Sequence, residues 1–320
     1  MASEEGETAK AGAAGDANSF WSRVEQLLER ASKLSPEEML FRYNGLLYPT
    51  VLSSAQTLRE LTAFQARPED MVVSSYPKCG FNWVQQLLKD IASASENESK
   101  EGKPERRGIK LLEFGGAEEY EIMKSYPSPR VYGTHNHYEN LPPSIIEKKT
   151  KVLVVCRNPK DNAVSYYHFC LNNPLLPNPA SWDEFFKKFM TGEVGWGSYF
   201  DHALSWEKHI DDKDVMLITY EELKENLAKG VQKIAEFYGI TLSEEHIQHI
   251  ACTGTFQAMS DNSQETHSIF GKVIFRKGVV GDWRNLFTDE QSQEMDAKFE
   301  SCLAGTKLGA KLKYDLYCKH

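Results

Sequence analysis

One segment of the sequence combines the features that bind an anion at the start of a helix. Residues 76–83, YPKCGFNW, follow a short apolar run and precede a helical pattern. Gly80 lets the backbone approach a ligand, the helix N-terminus presents free N–H groups and a positive dipole end, and Lys78 adds a full charge. This combination predicts a phosphate-binding loop. A plain turn with a surface lysine is the alternative, whereas a P-loop kinase is excluded because no GxxxxGK[ST] sequence occurs.

Two further segments place cations where a phosphate could bind. Residues 156–165, CRNPKDNAVS, put Arg157 at the end of an apolar run and Ser165 two turns into a helix, so a guanidinium and a hydroxyl could share one phosphate. Residues 275–284, FRKGVVGDWR, carry three cations against one acid. Taken singly, Arg157 could be a structural ion-pair partner and residues 275–284 a solvated loop. Three basic, glycine-containing or helix-entering segments together favour an anion site.

The elements that must position these segments alternate between strands and helices. Apolar runs predict strands over residues 71–75, 131–134, 151–157 and 215–219. Helical patterns are found around residues 83–91 and over 159–172, from 181, over 221–238 and over 288–303. Such alternation implies βαβ units, so we predict an α/β fold with a single doubly wound domain over residues 19–320. Its central parallel sheet is flanked by helices, and ligands bind at the carboxyl ends of the strands.

The N-terminal quarter gives weaker signals. Residues 1–18 are rich in Ala, Gly and Glu, which predicts a disordered acidic tail. Residues 20–70 are predicted to be helical, with a helix beginning at Ser35-Pro36-Glu37-Glu38 because serine caps, proline starts and glutamate completes a capping box. Residues 96–108 mix charges with Gly and Pro and predict a flexible loop.

The composition limits the classes of partner. The net charge of −9 excludes a surface that binds nucleic acid, although a few well-placed cations can still hold a small polyanion. The longest aliphatic run is residues 152–156, and the N-terminus lacks a basic start and an apolar stretch, so we expect a soluble cytoplasmic protein without membrane contact. The six cysteines include no CxxC pair and read as free thiols of a reducing cytosol.

Two histidines raise the question of a metal. His135 and His137 lie two residues apart and share a face of a predicted strand, a pattern that can ligate zinc. We expect no carboxylate or cysteine to complete such a site. We therefore predict no metal, with His137 as a pocket wall or a surface residue.

Three motifs together resemble the cytosolic sulfotransferase family, and most closely its family 6 branch. They are YPKCGFNW, CRNPKDNAVSYYHF and FRKGVVGDWRNLFT, in the family's order and spacing, and the resemblance covers nearly the whole chain after the tail. It implies a sulfotransferase fold, akin to nucleotide kinases, with a P-loop-like phosphosulfate-binding loop. The implied reaction transfers the sulfuryl group of 3′-phosphoadenylyl sulfate (PAPS) to a hydroxyl or amine of a small acceptor such as a phenol, steroid, thyroid hormone, neurotransmitter or xenobiotic. No metal is implied.

The resemblance also assigns roles. His135, in a Thr-His pair ahead of Leu141-Pro142, would be the general base with a pKa near its usual 6.5, and Lys78 would offset charge on the leaving nucleotide. The donor-site residues would be Lys78, Cys79, Gly80, Phe81, Asn82, Trp83, Arg157, Ser165, Tyr220, Thr255, Phe256, Arg276, Lys277 and Gly278. Within this set, the 3′-phosphate would contact Arg157, Ser165, Arg276, Lys277 and Gly278, and the adenine would lie among Trp83, Tyr220 and Phe256.

The chain departs from the family motifs at several positions. Phe81 and Asn82 replace two threonines, Gly133 replaces a lysine and Gly254 a threonine. Because Phe81 cannot bond a phosphate, we expect altered donor affinity, and Phe81 with Gly133 motivates an alternative function, a PAPS- or PAP-binding regulator with weak or no catalytic activity. The acceptor pocket is expected to be apolar and lined by residues 109–126, 182–196 and 256–275.

Two further hypotheses come from single residues. Cys79 replaces a serine of the motif beside a lysine at a helix N-terminus, so a lowered pKa could allow reversible oxidation, although a small residue that merely fills the serine's place is the simpler interpretation. Asp289 replaces a valine in the segment through which relatives dimerise. A homodimer is therefore possible, but we expect its apolar contact to be weakened.

Overall fold

A computed structural model describes residues 24–94, 111–261 and 271–319, together with Ser22. Strand β1 (Leu40–Tyr43) pairs with β2 (Leu46–Pro49) in an antiparallel hairpin. The main sheet has four parallel strands, β3 (Met71–Ser75), β4 (Val131–Thr134), β5 (Val152–Cys156) and β6 (Val215–Thr219). Their order is β4-β3-β5-β6. The predicted strands and the α/β fold are confirmed.

Helices connect the strands and cover the sheet. In chain order they are α1 (residues 24–32), α2 (Ala55–Glu60), α3 (Phe81–Ala94), α4 (Ala117–Lys124), α5 (Pro143–Glu147), α6 (Pro159–Asn172), α7 (Trp182–Thr191), α8 (Tyr199–Glu207), α9 (Tyr220–Glu225), α10 (Leu227–Tyr238), α11 (Glu244–Thr253), α12 (Phe256–Asp261), α13 (Gly271–Ile274), α14 (Asp289–Cys302), α15 (Lys307–Lys311) and α16 (Tyr314–Cys318). A 3₁₀ turn covers Asp282–Asn285. None of the described helices is long and apolar enough to cross a membrane.

The sheet separates two hydrophobic cores, because successive side chains of a strand point to opposite faces. Val152 and Val154 of β5 pack into one core with α6, α7, α8 and α14. Leu153 and Val155 pack into the other with α3, α10 and α11. All five β5 side chains are buried, as a central strand requires.

The order of the strands determines where loops converge. The chain leaves β3 towards β4 on one side, then returns past β3 to β5 on the other. The loops that follow β3 and β5 therefore diverge at a switch point between adjacent strands, the place where open α/β sheets bind ligands. Lys78 lies in the first of these loops and Arg157 in the second.

The N-terminal prediction was wrong in part. Ser35 does not begin a helix: residues 36–38 form a turn, in which the Ser35 N–H donates to the Glu38 carboxylate at 2.9 Å. The capping contact forms, but the chain then enters β1, because pairing with β2 competes with helix propagation. The helix predicted over 221–238 is two helices, interrupted at Asn226, whose side chain caps the second one. The predicted tail at 1–18 and loop at 96–108 lie outside the described residues.

Candidate active site

The loop after β3 has an unusual backbone. Lys78 has φ +68° and Gly80 φ +107°, both in the left-handed region that favours glycine. A Cβ at Gly80 would lie 3.0 Å from the Tyr220 ring, so glycine is needed for the close approach as well as for φ. Asn162 of α6 holds the loop, donating from Nδ2 to the Pro77 carbonyl at 2.8 Å and to Cys79 Sγ at 3.2 Å. This anchor was not predicted from the sequence.

Lys78 forms no ion pair with a carboxylate of the described residues. Its Nζ donates to the Ile274 carbonyl at 3.3 Å and lies 4.2 Å from the centre of the Phe169 ring. Burial, with a smaller contribution from the nearby Arg157 charge, lowers the pKa of Lys78 to about 7. An anion bound next to this ammonium would favour its charged form and raise its pKa again. The buried lysine is therefore suited to pair with a bound anion.

Arg157 follows β5 and bridges to both other basic segments. Its guanidinium donates to the Lys78 carbonyl at 3.4 Å and to the Val279 carbonyl at 3.0 Å, and it lies 4.3 Å from the centre of the Tyr220 ring. Its Nε is buried without a hydrogen-bond partner in the described part of the chain. It forms no ion pair there either, so the interpretation of Arg157 as a structural ion-pair partner is not supported.

The third basic segment is brought to the same place, but its cations already have a partner. Arg276 and Lys277 both contact the Asp282 carboxylate, at 2.5 and 2.7 Å. Burial opposes ionisation of Asp282, but the hydrogen bonds from Lys277 and Arg276 prevail and lower its pKa to about 2. A phosphate at this position would therefore share these cations with Asp282 or displace it, a competition that the sequence did not reveal.

The aromatic residues assigned to the adenine lie near Arg157 and Gly278. Trp83 donates from its indole N–H to the Gly254 carbonyl at 2.7 Å, and its ring meets that of Tyr220 edge-on at 5.2 Å. Phe256 lies against Gly278, which has φ +64°, and a Cβ there would come within 2.2 Å of the ring. Thr255 is exposed and accepts from the Ala258 N–H at the start of α12.

Two residues assigned to the PAPS site have side chains that form no hydrogen bond with a described residue. Ser165 lies half-buried on α6, two turns after Arg157, and Asn82 lies half-buried in the first turn of α3. Both are on the elements that frame the loop after β3. Their polar groups remain available for a ligand, as the sequence-based assignment requires.

His135 directly follows β4 and its tautomer is determined by its contacts. Nδ1 lies 2.6 Å from the Ser75 carbonyl oxygen, which can only accept, so Nδ1 carries the proton and Nε2 the lone pair. Nε2 makes no hydrogen bond with a described residue. Burial lowers the pKa of His135 to about 4, with Lys78 acting in the same direction, so the expected value near 6.5 is corrected. The imidazole is therefore neutral at physiological pH and can accept a proton at Nε2.

A buried carboxylate that the sequence analysis missed supports this histidine. Glu113 is fully buried and accepts from the His135 N–H at 2.8 Å, the Thr134 hydroxyl at 2.9 Å and the Trp196 indole at 3.0 Å. Trp196 has φ +60°, a strained conformation that places its ring 5.0 Å from the imidazole. An acid within the apolar run LLEF was the available signal.

Two other histidines lie beyond His135. The rings of His137 and His202 are 5.5 Å apart, and the Nε2 atom of each is buried without a described hydrogen-bond partner. Burial lowers the pKa of both. The described residues contain no group of three or more side chains of the kind that ligates a metal ion.

Two departures from the family motif are neighbours in space. A Cβ at Gly133 would lie 2.4 Å from the Phe81 ring and 2.5 Å from the Val73 carbonyl oxygen. Phe81 therefore occupies the space beside β4 that a side chain at position 133 would need, and its ring also meets His135 edge-on at 5.0 Å. With Phe81 in this position, a side chain at position 133 would clash with its ring.

Cys79 is not the exposed thiolate that the redox hypothesis needs. Its side chain is buried, and burial raises the pKa of the thiol well above its usual value. Both properties oppose reaction with an oxidant. The simpler interpretation, a small residue that packs where relatives have serine, agrees with the structure.

The chain is similar in sequence and in fold to known sulfotransferases. Residues 68–307 match the model of a sulfotransferase domain. Sulfotransferase 6B1 of Danio rerio is 51% identical over 298 residues, covering 93% of this chain and 100% of the relative, and the Homo sapiens protein of the same name is 48% identical, covering 95% and 99%. A crystal structure of mouse sulfotransferase SULT7A1 complexed with PAP is 34% identical, with a TM-score of 0.76, and covers 87% of this chain and 99% of that one.

Proposed function

The chain belongs to the sulfotransferase family, and we propose that it transfers the sulfuryl group of PAPS to a hydroxyl or amine of a small molecule, with His135 as the general base. The observation that carries this proposal is the orientation of His135. Its Nδ1–H is bonded to Ser75, so an unprotonated Nε2 stands free at the same sheet edge as Lys78 and Arg157.

The basic residues suit a 3′-phosphorylated nucleotide. PAP, adenosine 3′,5′-bisphosphate, is bound in the related mouse structure, and this chain supplies matching chemistry. Lys78 and the loop around Gly80 would hold the 5′-phosphosulfate, and Arg157, whose Nε lacks a described partner, would hold the 3′-phosphate with Arg276 and Lys277. PAPS supplies the activated sulfuryl group.

His135 would remove the acceptor's proton. In the transfer step the acceptor oxygen forms a bond to sulfur while its proton moves to Nε2, and the bond from sulfur to the bridging oxygen of the nucleotide breaks. A neutral imidazole is required at the start, and burial ensures it by lowering the pKa of His135 to about 4. Positive charge that forms on the ring would be stabilised by the Ser75 carbonyl, which accepts from Nδ1.

Lys78 would stabilise the leaving group. Its ammonium lies in the loop that follows β3, close enough to the imidazole to lower the pKa of His135. A cation there favours the negative charge that develops on the bridging oxygen as the sulfuryl group departs. The partial loss of its proton in the free protein is reversed once an anion is bound, because opposite charge raises the pKa.

The acceptor is proposed to be small and largely apolar. Phe81 and Trp196 meet His135 edge-on from two directions, and Phe114 lies 5.8 Å from Trp196. Phe114 and Trp196 belong to the segments 109–126 and 182–196, which were expected to line the pocket, whereas Phe81 begins α3. Together these rings suit phenols, steroids, thyroid hormones or similar xenobiotics. We further propose that residues 19–320 form one sulfotransferase domain that acts in the cytosol without nucleic acid or membrane.

A screen of acceptors with labelled PAPS tests the proposal. Phenols, steroids, iodothyronines and arylamines are incubated with the full chain, and transfer of label to at least one class is expected. PAP binding is measured by calorimetry on the same preparation. Binding of PAP without transfer to any acceptor would favour the alternative of a nucleotide-binding regulator, and absence of PAP binding would contradict both.

A further inference from the structure

The segment that carries the predicted 3′-phosphate ligands has no regular structure of its own. Residues 275–281 are neither helix nor strand, between α13 and the 3₁₀ turn at Asp282–Asn285. Phe275 anchors one end of the segment in a hydrophobic core, but the N–H and C=O groups of the following residues are not paired with one another in a helix or strand. The placement of these residues relative to Arg157 therefore depends on tertiary partners of their backbone.

One buried carboxylate accepts from the last N–H of this segment and from an N–H of the 3₁₀ turn that follows. Asp161 Oδ2 accepts from the Gly281 N–H at 2.7 Å, and Oδ1 accepts from the Trp283 N–H at 3.0 Å. Asp161 lies in the first turn of α6 and is only 1% exposed. The bonds connect α6, which follows Arg157 directly, to the segment that carries Arg276 and Lys277.

The carboxylate itself is held by a neighbour. Asn158, the N-cap of α6, donates from Nδ2 to Asp161 Oδ2 and to Glu221 Oε1, both at 2.8 Å, and accepts from the Asp161 N–H. Glu221 lies in the first turn of α9, next to Tyr220. The carboxyl ends of β5 and β6 and residues 275–281 are thus joined through one buried polar network.

We propose that Asp161 is a positioning residue for the 3′-phosphate site, holding residues 275–281 against Arg157 without contacting the nucleotide. The proposal rests on the proposed function, because it concerns the donor nucleotide of that reaction. Arg157 makes the complementary contact, donating to the Val279 carbonyl two residues before Gly281. Arg157 thus holds the segment through the Val279 carbonyl, and Asp161 holds it through the Gly281 N–H.

The chemistry requires a carboxylate at position 161. Its two oxygens face two different backbone N–H groups, whereas an amide offers one oxygen and turns an NH₂ group towards the other N–H. In an Asp161→Asn variant one buried N–H is left without an acceptor, which the segment can relieve only by moving away from α6. The 3′-phosphate ligands would move with it, and the loop after β3 would not.

Two nucleotides separate this effect from a general loss of the site. PAP carries the 3′-phosphate and adenosine 5′-phosphate lacks it. Calorimetry with the full chain should show that Asp161→Asn lowers the affinity for PAP about tenfold or more, as expected for one unsatisfied buried group. The affinity for adenosine 5′-phosphate should change less than about threefold, and kcat at saturating PAPS should change little while its KM rises.

Asp70→Asn is the matched control. Asp70 is also 1% exposed and accepts from Arg130 and Tyr132, but it precedes β3, at the amino end of the sheet. Its loss should lower thermal stability without a selective change in PAP affinity. If Asp161→Asn does not fold, Asp161→Glu, which keeps the charge but lengthens the side chain, undergoes the same comparison.

The positioning role is overturned if the Asp161 variant loses affinity equally for both nucleotides. It is also overturned if its affinity for PAP is unchanged despite lowered stability. Wild-type protein that binds neither nucleotide gives a different pattern, since it contradicts the proposed function and with it this inference. Selective loss of PAP affinity in the position-161 variant, with Asp70→Asn near wild type, supports it.

Discussion

A single main-chain oxygen determines which nitrogen of His135 is available for chemistry. Ser75 O lies 2.6 Å from Nδ1, and no tautomer other than the one with a proton there makes this contact favourable. The sequence placed His135 at a strand end but gave no information about its ring orientation. Its low pKa also arises from burial among residues distant in sequence, such as Phe81 and Trp196.

The charge state of Lys78 leads to a pH-dependence prediction. The pKa of Lys78 is lowered to about 7 in the free protein, and a bound anion raises it. Above pH 7 the free lysine loses its proton and must regain it on binding. PAP affinity should therefore fall between pH 7 and pH 9, by up to about tenfold per unit, as calorimetry would show.

Lys78→Arg is the control for this prediction, because a guanidinium stays protonated throughout the range. The phosphates of PAP are fully ionised above pH 7 and His135 is neutral, so neither contributes to the slope. A PAP affinity that is constant from pH 7 to pH 9 in the wild type would contradict the assignment of Lys78 to the anion site.

At the scale of single elements, strands and capped helices were predictable. The bounds of β3, β4 and β6 and of α6 agree with the sequence analysis, because each has a continuous apolar run or a clear N-cap such as Asn158. The β1–β2 hairpin was missed although the two-residue turn Asn44-Gly45 that joins its strands was an available signal. The break at Asn226 was missed because a cap in mid-pattern resembles an ordinary polar residue.

Site residues that belong to a recognisable motif were predictable from the sequence. Site residues whose role depends on contacts with distant segments were not. Lys78, Gly80 and Arg157 lie together as their motifs indicated. Glu113 and Asp282 were missed because their roles depend on partners from other segments. A buried acid and a paired acid look alike in the sequence, and only packing distinguishes them.

The contact between β4 and α3 predicts a strict requirement for glycine at position 133. A Cβ there would meet both the Phe81 ring and the Val73 carbonyl oxygen at 2.4–2.5 Å. Gly133→Ala should lower the free energy of unfolding by about 1–3 kcal/mol, measured by urea denaturation. A second change, Phe81→Thr, should restore only part of the lost stability, because the clash with the Val73 carbonyl remains.

Gly305→Ala serves as the matched variant, because nothing lies within 4 Å of a Cβ at that position. It should be close to wild type in stability. If Gly133→Ala is as stable as Gly305→Ala, the packing of Phe81 against β4 is not as tight as described, and the two departures from the family motif are not coupled.

For the whole molecule, net charge and site charge are separate properties. The chain carries −9, of which its first 20 residues contribute −3 through four acids and one lysine. The switch point nevertheless gathers cations from three segments, and the charges of Arg276 and Lys277 are shared with Asp282. A negative net charge is therefore compatible with a local cluster of cations at one end of the sheet.

One surface position leads to a prediction about self-association. Asp289 is exposed and begins α14, where a carboxylate suits the helix dipole but not an apolar contact. We expect a monomer at micromolar concentration in sedimentation experiments, and a larger dimer fraction for Asp289→Val. Glu290→Val, the neighbouring exposed acid, is the control, and a wild-type dimer would contradict the expectation.

The most direct test of the central claim is sulfuryl transfer by His135→Ala. With labelled PAPS and an acceptor accepted by the wild type, the variant should lose about 10²–10⁴-fold in rate while its PAP affinity stays within about threefold. His209→Ala, a histidine outside the site, should keep the wild-type rate. Transfer by His135→Ala at the full wild-type rate would contradict the proposed mechanism.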